Sequence, residues 1–167
     1  GRDTGVDSGM NNGAAFITGA TGGLGRACAL ALSREWAGVA IGYRSSAEKA
    51  AELAGELAPG CEGWPVRCEL TNAASVGGAL AAAFAHFGHI GTVVFASGVA
   101  IGQPHVSKID EAQWREVFEA ELIGLTRIVN LTRAILANGS ALVVTNLMDI
   151  AATDTTHGSI GTSTARL

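Results

Sequence analysis

Residues 14–25 read Ala14-Ala15-Phe16-Ile17-Thr18-Gly19-Ala20-Thr21-Gly22-Gly23-Leu24-Gly25. The first five form a short apolar run that stops at glycines, which predicts a buried β-strand. Leu24, Cys28, Ala31 and Leu32 then recur at helical spacing, which predicts a helix over 24–36 with those residues inward. Between strand and helix lies a glycine-rich turn. Glycine permits positive φ there and lets a phosphate group come up to the main chain. The helix start adds unpaired N–H groups and the positive end of its dipole. Gly19, Thr21, Gly23, Leu24 and Gly25 are therefore candidate nucleotide-phosphate residues. The plain alternative is a tight turn with no ligand.

Outward from this unit the chain keeps alternating. Further apolar strands are expected over 39–43, 64–68, 92–96 and 141–145, and helices over 47–57 and 73–87. A long helix is expected over 110–137. Asp110 suits its N-cap, with Gln113 three residues on as reciprocal partner. Trp114, Val117, Phe118, Leu122, Leu125, Val129 and Leu136 would form its inward face. Five apolar strands joined through helices imply a doubly wound α/β fold, a parallel sheet with helices on both faces. Residues 1–13 lack periodicity and are expected to be a disordered tail or tag, leaving 14–167 as the single domain.

Composition excludes several function classes. A chain 48% hydrophobic and 16% charged is no disordered, highly charged polymer. Eleven basic against fifteen acidic side chains, without a basic patch, argue against nucleic acid and anionic membrane surfaces as partners. No apolar run reaches the ~18 residues that span a bilayer. Cys28, Cys61 and Cys68 are an odd number without further metal-ligand spacing. They predict no metal, no disulfide framework, and a reducing cytoplasm.

The end of the second strand reads Tyr43-Arg44-Ser45-Ser46. An NAD-selective site places a carboxylate there, to accept from the ribose 2′-hydroxyl. Here Arg44 would pair with a 2′-phosphate and Ser45 would add a hydrogen bond, so NADP(H) is expected over NAD(H). The alternative for Arg44 is a surface arginine heading a loop.

The Thr18–Gly25 loop resembles the Thr-Gly-x-x-x-Gly-x-Gly loop of the short-chain dehydrogenases/reductases, most closely the β-ketoacyl carrier-protein reductase type. Tyr43-Arg44-Ser45-Ser46, Glu69-Leu70-Thr71, and Trp114, Val117 and Gly124 extend the likeness. The resemblance implies a Rossmann-type domain. It also implies adenine contacts at Glu69 and Leu70, cofactor contacts at Ala96 and Gly98, and further strands and a substrate-covering segment beyond Leu167. It implies a catalytic Asn, Ser and Tyr-x-x-x-Lys, which fall on Glu121, Asn146, Ser159 and Ser163. The only tyrosine is Tyr43 and the only lysines are Lys49 and Lys108, so the usual acid and its supporting cation are missing. A serine hydroxyl is a far weaker acid than a phenol. His157 could donate a proton, or be a solvated loop histidine. Glu121 would sit half-buried beside the cofactor pocket, or be an exposed helix glutamate.

The expected function is thus an atypical NADP(H)-dependent ketoreductase. Its substrate would be a small β-ketoacyl or polyketide-like carbonyl compound, free or carried on a carrier protein. The alternatives are a catalytically silent nucleotide-binding or partner protein, and a cyclase or dehydratase reusing the fold. A homo-oligomer through the 110–137 helix is expected.

Overall fold

Side chains alternate across the strands and split the apolar residues between two cores. In β1 (Asn11–Thr18) Ala14 and Phe16 join one core and Ile17 the other. In β2 (Trp36–Tyr43) Ala40 belongs to the first, and Val39 and Ile41 to the second. All six are fully buried, as a sheet covered on both faces requires. The computed structural model describes residues 11–99, 106–133, 141–144, 148–149 and 160–161. Within them β3 (Glu62–Arg67), β4 (Ile90–Phe95) and β5 (Ala141–Val144) complete a parallel sheet in the order β3-β2-β1-β4-β5. The chain winds outward from β1 to β3, then crosses back to β4. Strand order reverses beside β1, and such reversals open a crevice at the strands' carboxyl ends.

Helices cover both faces, as expected. α1 (Gly23–Leu32) and α2 (Ala47–Glu56) bring Ala29, Ala50 and Leu53 onto Ile17, Val39 and Ile41. α3 (Ala73–Phe87) and α5 (Gly124–Thr132) bring Val76, Leu80, Ala83 and Ile128 onto Phe16 and Phe95. A separate antiparallel pair joins β6 (Met148–Asp149) to β7 (Ile160–Gly161). Pro65 lies in β3, which is an edge of the sheet, where a strand tolerates a missing N–H. No helix among the described residues is long and apolar enough to cross a membrane.

Three boundaries depart from the sequence reading. β1 starts at Asn11, paired with Trp36 across a register shift where Gly13 takes φ 97°, so residues 11–13 belong to the sheet rather than to a tail. α1 ends at Leu32 with Ser33 as C-cap, and Trp36 opens β2; Ala31, expected inward, is exposed. The third concerns the long helix. It starts as expected, with a full capping box between Asp110 and Gln113, and runs as α4 (Glu111–Val117). A π-helical segment, Phe118–Ile123, then precedes α5. Trp114, Phe118 and Leu122 do not face the core: they are 42%, 51% and 49% exposed. The buried stripe is Glu121, Gly124, Ile128 and Thr132. The wider π turn shifts the helix face, and small residues let the helix approach closely. Leu136 lies outside the described residues.

Candidate cofactor site

The carboxyl ends of β1, β2, β3 and β4 open on one cavity of about 350 Å³. Its floor is the glycine turn, with Gly19, Thr21 and Gly22. Gly19 takes φ 63°, and a Cβ there would lie 2.7 Å from Ser97 Oγ and 2.8 Å from the Ala96 carbonyl oxygen. Glycine is required on both counts. The Ala20 N–H donates to the Gly42 carbonyl (2.9 Å), and the Gly22 N–H to that of Gly19 (3.0 Å). α1 begins immediately afterwards with Gly22 as N-cap. No side chain caps its first N–H groups and no acid occupies its first turn. An anion there meets free donors and the positive dipole end.

On one side the loop after β2 supplies Arg44, Ser45 and Ser46, and the first turn of α2 supplies Lys49. Neither Arg44 nor Lys49 forms an ion pair among the described residues. Beyond them Cys68, Glu69 and Leu70 follow β3. The Glu69 N–H donates to Ser75 Oγ (3.0 Å), and its Oε1 accepts from the Thr71 N–H (3.4 Å) and hydroxyl (3.1 Å). Burial, and then the neighbouring Glu69 charge, push the Cys68 thiol up to about 12, so it stays protonated near neutral pH.

The opposite side is built from Ala96, Ser97, Gly98 and Val99 after β4, with Ala120 and Glu121 from the π segment. Glu121 is only 9% exposed, and its Oε1 accepts the Val99 N–H at 3.0 Å. It is therefore a buried carboxylate on the cavity wall, not an exposed helix residue.

Nine of the sequence-derived candidates come together here: Gly19, Thr21, Arg44, Ser45, Glu69, Leu70, Ala96, Gly98 and Glu121. Gly23, Leu24 and Gly25 do not line the cavity. A Cβ on Gly23 would meet nothing within 4 Å, whereas one on Gly25 would lie 2.2 Å from the Gly19 carbonyl oxygen, so Gly25 serves helix packing. Lys49, Ser46, Cys68, Ser97, Val99 and Ala120 were not anticipated. The position of Lys49 one turn into α2 was the signal for it. Asn146, Ser159, Ser163 and His157 lie outside the described residues.

A family model for short chain dehydrogenase matches residues 13–156. The short chain dehydrogenase/reductase nsrJ of Aspergillus novofumigatus is 29% identical over 133 residues, covering 79% of this chain and 50% of that protein. The hydroxynaphthalene reductase-like protein Arp2 of Metarhizium robertsii is 29% identical over 131 residues, covering 78% and 49%. The chain thus spans about half the length of these curated relatives. Among solved structures, a proposed dehydrogenase of Burkholderia cenocepacia with bound NADP superimposes with TM-score 0.74 at 26% identity, covering 86% of this chain and 56% of that one.

Proposed function

This chain belongs to the short-chain dehydrogenase family, and from that premise we propose that its cavity holds NADP(H) for the reduction of a carbonyl substrate. The observation that carries the reading is the company Arg44 keeps. One cavity joins Gly22, the N-cap of α1, to Arg44 and two serines after β2 and to Lys49 in the first turn of α2, with no carboxylate among those residues. NADP bound to a relative of similar fold supports the same cofactor.

The residues present fit such a group. The N–H groups at the start of α1 would receive the pyrophosphate. Arg44 would take the 2′-phosphate through its planar fork, Lys49 would add a second positive charge, and Ser45 a hydrogen bond. Glu69 and Leu70 would wall the adenine, and Ala96 and Gly98 the far side. When bound, the nicotinamide supplies hydride to a carbonyl carbon. Residues 1–167 hold no Tyr-x-x-x-Lys pair, and in a site without one water would donate to the resulting oxygen, more slowly than a positioned acid. A β-ketoacyl or polyketide-like carbonyl is the substrate class.

Ser159 and Ser163, on which the family's Tyr and Lys positions fall, also favour a second reading, a nucleotide-binding protein without turnover. The apolar surface of Trp114, Phe118, Leu122 and Ile123, each more than 40% exposed, fits association with a second copy through the α4–α5 helix. Three free thiols fit a reducing cytoplasm.

Tryptophan-fluorescence titration with NADPH and NADH, followed by turnover of β-ketoacyl thioesters and cyclic ketones, separates these readings. Tighter NADPH binding with substrate-dependent oxidation supports the reductase. Binding without turnover supports the silent protein, and no binding refutes both.

A further inference from the structure

Resting on the cofactor reading above, we propose that Arg127 is a positioning residue, which fixes the adenosine wall of the cavity by holding the Leu70 carbonyl. Leu70 lines the cavity and is 7% exposed. Two residues of α5 meet it, Gly124 and Arg127, three apart and so on one helix face. A Cβ on Gly124 would lie 3.0 Å from Leu70 Cβ, so the helix is already at contact. Arg127 Nη1 donates to the Leu70 carbonyl oxygen at 2.8 Å, while its Nη2 pairs with Glu119 Oε1 at 2.6 Å. The guanidinium is rigid and planar, so anchoring one arm on the carboxylate aims the other at the carbonyl.

The rest of that loop is tied elsewhere. The Cys68 N–H donates to the Tyr43 carbonyl (2.8 Å), the Glu69 N–H to Ser75 Oγ, and the Thr71 N–H to Glu69 Oε1. Those bonds secure the loop to β2, to α3 and to itself. Arg127 secures it to the helix that also presents Glu121 to Val99 across the cavity. Both walls therefore hang from one continuous helical stretch, Glu121 from its π segment and Arg127 from α5. Without the Arg127 donor, a nearly buried carbonyl loses its charge-assisted partner and the wall relaxes.

The test uses the full chain, with Arg127→Met, which keeps length without a donor, and Arg127→Lys, which keeps a charged donor. Affinity and stoichiometry are measured for NADPH, NADH and adenosine 2′,5′-bisphosphate. Arg127→Met is expected to weaken all three by about ten-fold, the equivalent of about 1.4 kcal/mol. The NADPH to NADH ratio and the stoichiometry should hold, and Arg127→Lys should recover most of the loss. Unchanged affinities, a loss that spares the bisphosphate, a fall in stoichiometry instead of affinity, or a lysine variant no better than the methionine one would each overturn the proposal. Should the methionine variant not fold, the lysine variant is compared with the unchanged chain, and equal affinities for all three ligands overturn the proposal. If the unchanged chain binds none of the three, the cofactor reading itself fails, and this one with it.

Discussion

Replacing Gly25 by alanine sets two physical effects against each other within one helix. Alanine in place of a helical glycine gains roughly 0.5–1 kcal/mol from lower backbone entropy in the unfolded chain. That gain should appear at Gly55 and Gly78, where an added Cβ meets nothing within 4 Å. At Gly25 the same methyl would sit 2.2 Å from the Gly19 carbonyl oxygen and 2.7 Å from Ala20 Cα. Both are main-chain atoms, so no side-chain rotation relieves the contact, and the helix must move by about 1 Å. Overpacking of this kind costs roughly 1–3 kcal/mol, with the upper part of that range appropriate to backbone neighbours. The balance is a net loss of about 1–2 kcal/mol for Gly25→Ala, against a gain of about 0.5–1 kcal/mol for Gly55→Ala. In a domain of this size each kcal/mol moves the melting midpoint by about 2–4 °C. Thermal and urea unfolding followed by tryptophan fluorescence would show the two variants moving in opposite directions. On the proposed cofactor reading NADPH affinity should also fall in Gly25→Ala, because the shifted helix would carry with it the N–H groups assigned to the pyrophosphate. A Gly25→Ala protein as stable as Gly55→Ala would refute the close-packing argument.

Other outcomes follow from the same geometry. Arg44→Ala is expected to weaken NADPH binding by about 1–3 kcal/mol, with NADH binding almost unchanged in parallel titrations; equal losses would remove the 2′-phosphate assignment. Glu121→Leu orphans the Val99 N–H and should cost about 1–3 kcal/mol in urea unfolding, whereas Glu121→Gln retains an acceptor and should cost much less. Equal stability of the two would show that the bond holds nothing. Cys68 keeps its proton to about 12 when folded but releases it near 9 when unfolded, so its contribution is intact below about pH 9 and is lost as pH rises towards 12. Between about pH 8 and pH 10 the unchanged chain should lose about 1.4 kcal/mol more than Cys68→Ala, and identical alkaline losses would contradict the burial of that thiol.

Local chemistry made much of the fold legible. Helix α3 runs over Ala73–Phe87 as expected, because Asn72 caps its start by accepting the Ser75 N–H and Gly88 ends it at φ 73°. The capping box at Asp110 was equally local. The inward face of the helix that follows was legible only in part: Leu125 and Val129 pack against the core as expected, whereas Trp114, Phe118 and Leu122 do not. Hydrophobic spacing marks an apolar stripe without naming what covers it, and Phe118 and Leu122 turned out to be surface residues. Two of the residues that pack inward, Glu121 and Gly124, carry no apolar signal; their burial depends on Val99 and Leu70, which approach only in three dimensions. The site divides along the same line. Arg44 and the glycine turn announce themselves by position after a strand, whereas Cys68 and Ser97 reach the cavity only through the sheet's strand order. Gly19 was legible as a necessary glycine, but its requirement comes from Ser97 and Ala96 behind it as much as from any ligand in front.

Pro65 gives the sheet a preferred side for meeting other molecules. A bare outer strand is a template on which a foreign segment can add itself, one hydrogen bond per rung, and such additions seed fibrils. On β3 a rung at mid-strand has no donor, and the exposed Glu62 and Arg67 at its ends keep their charges in water. Lengthening of the sheet past β3 is therefore obstructed at its centre. Copies of this chain that meet on that flank find no continuous ladder, so growth by strand addition is suppressed there while the apolar surface of Trp114, Phe118, Leu122 and Ile123 stays open to side-chain contact.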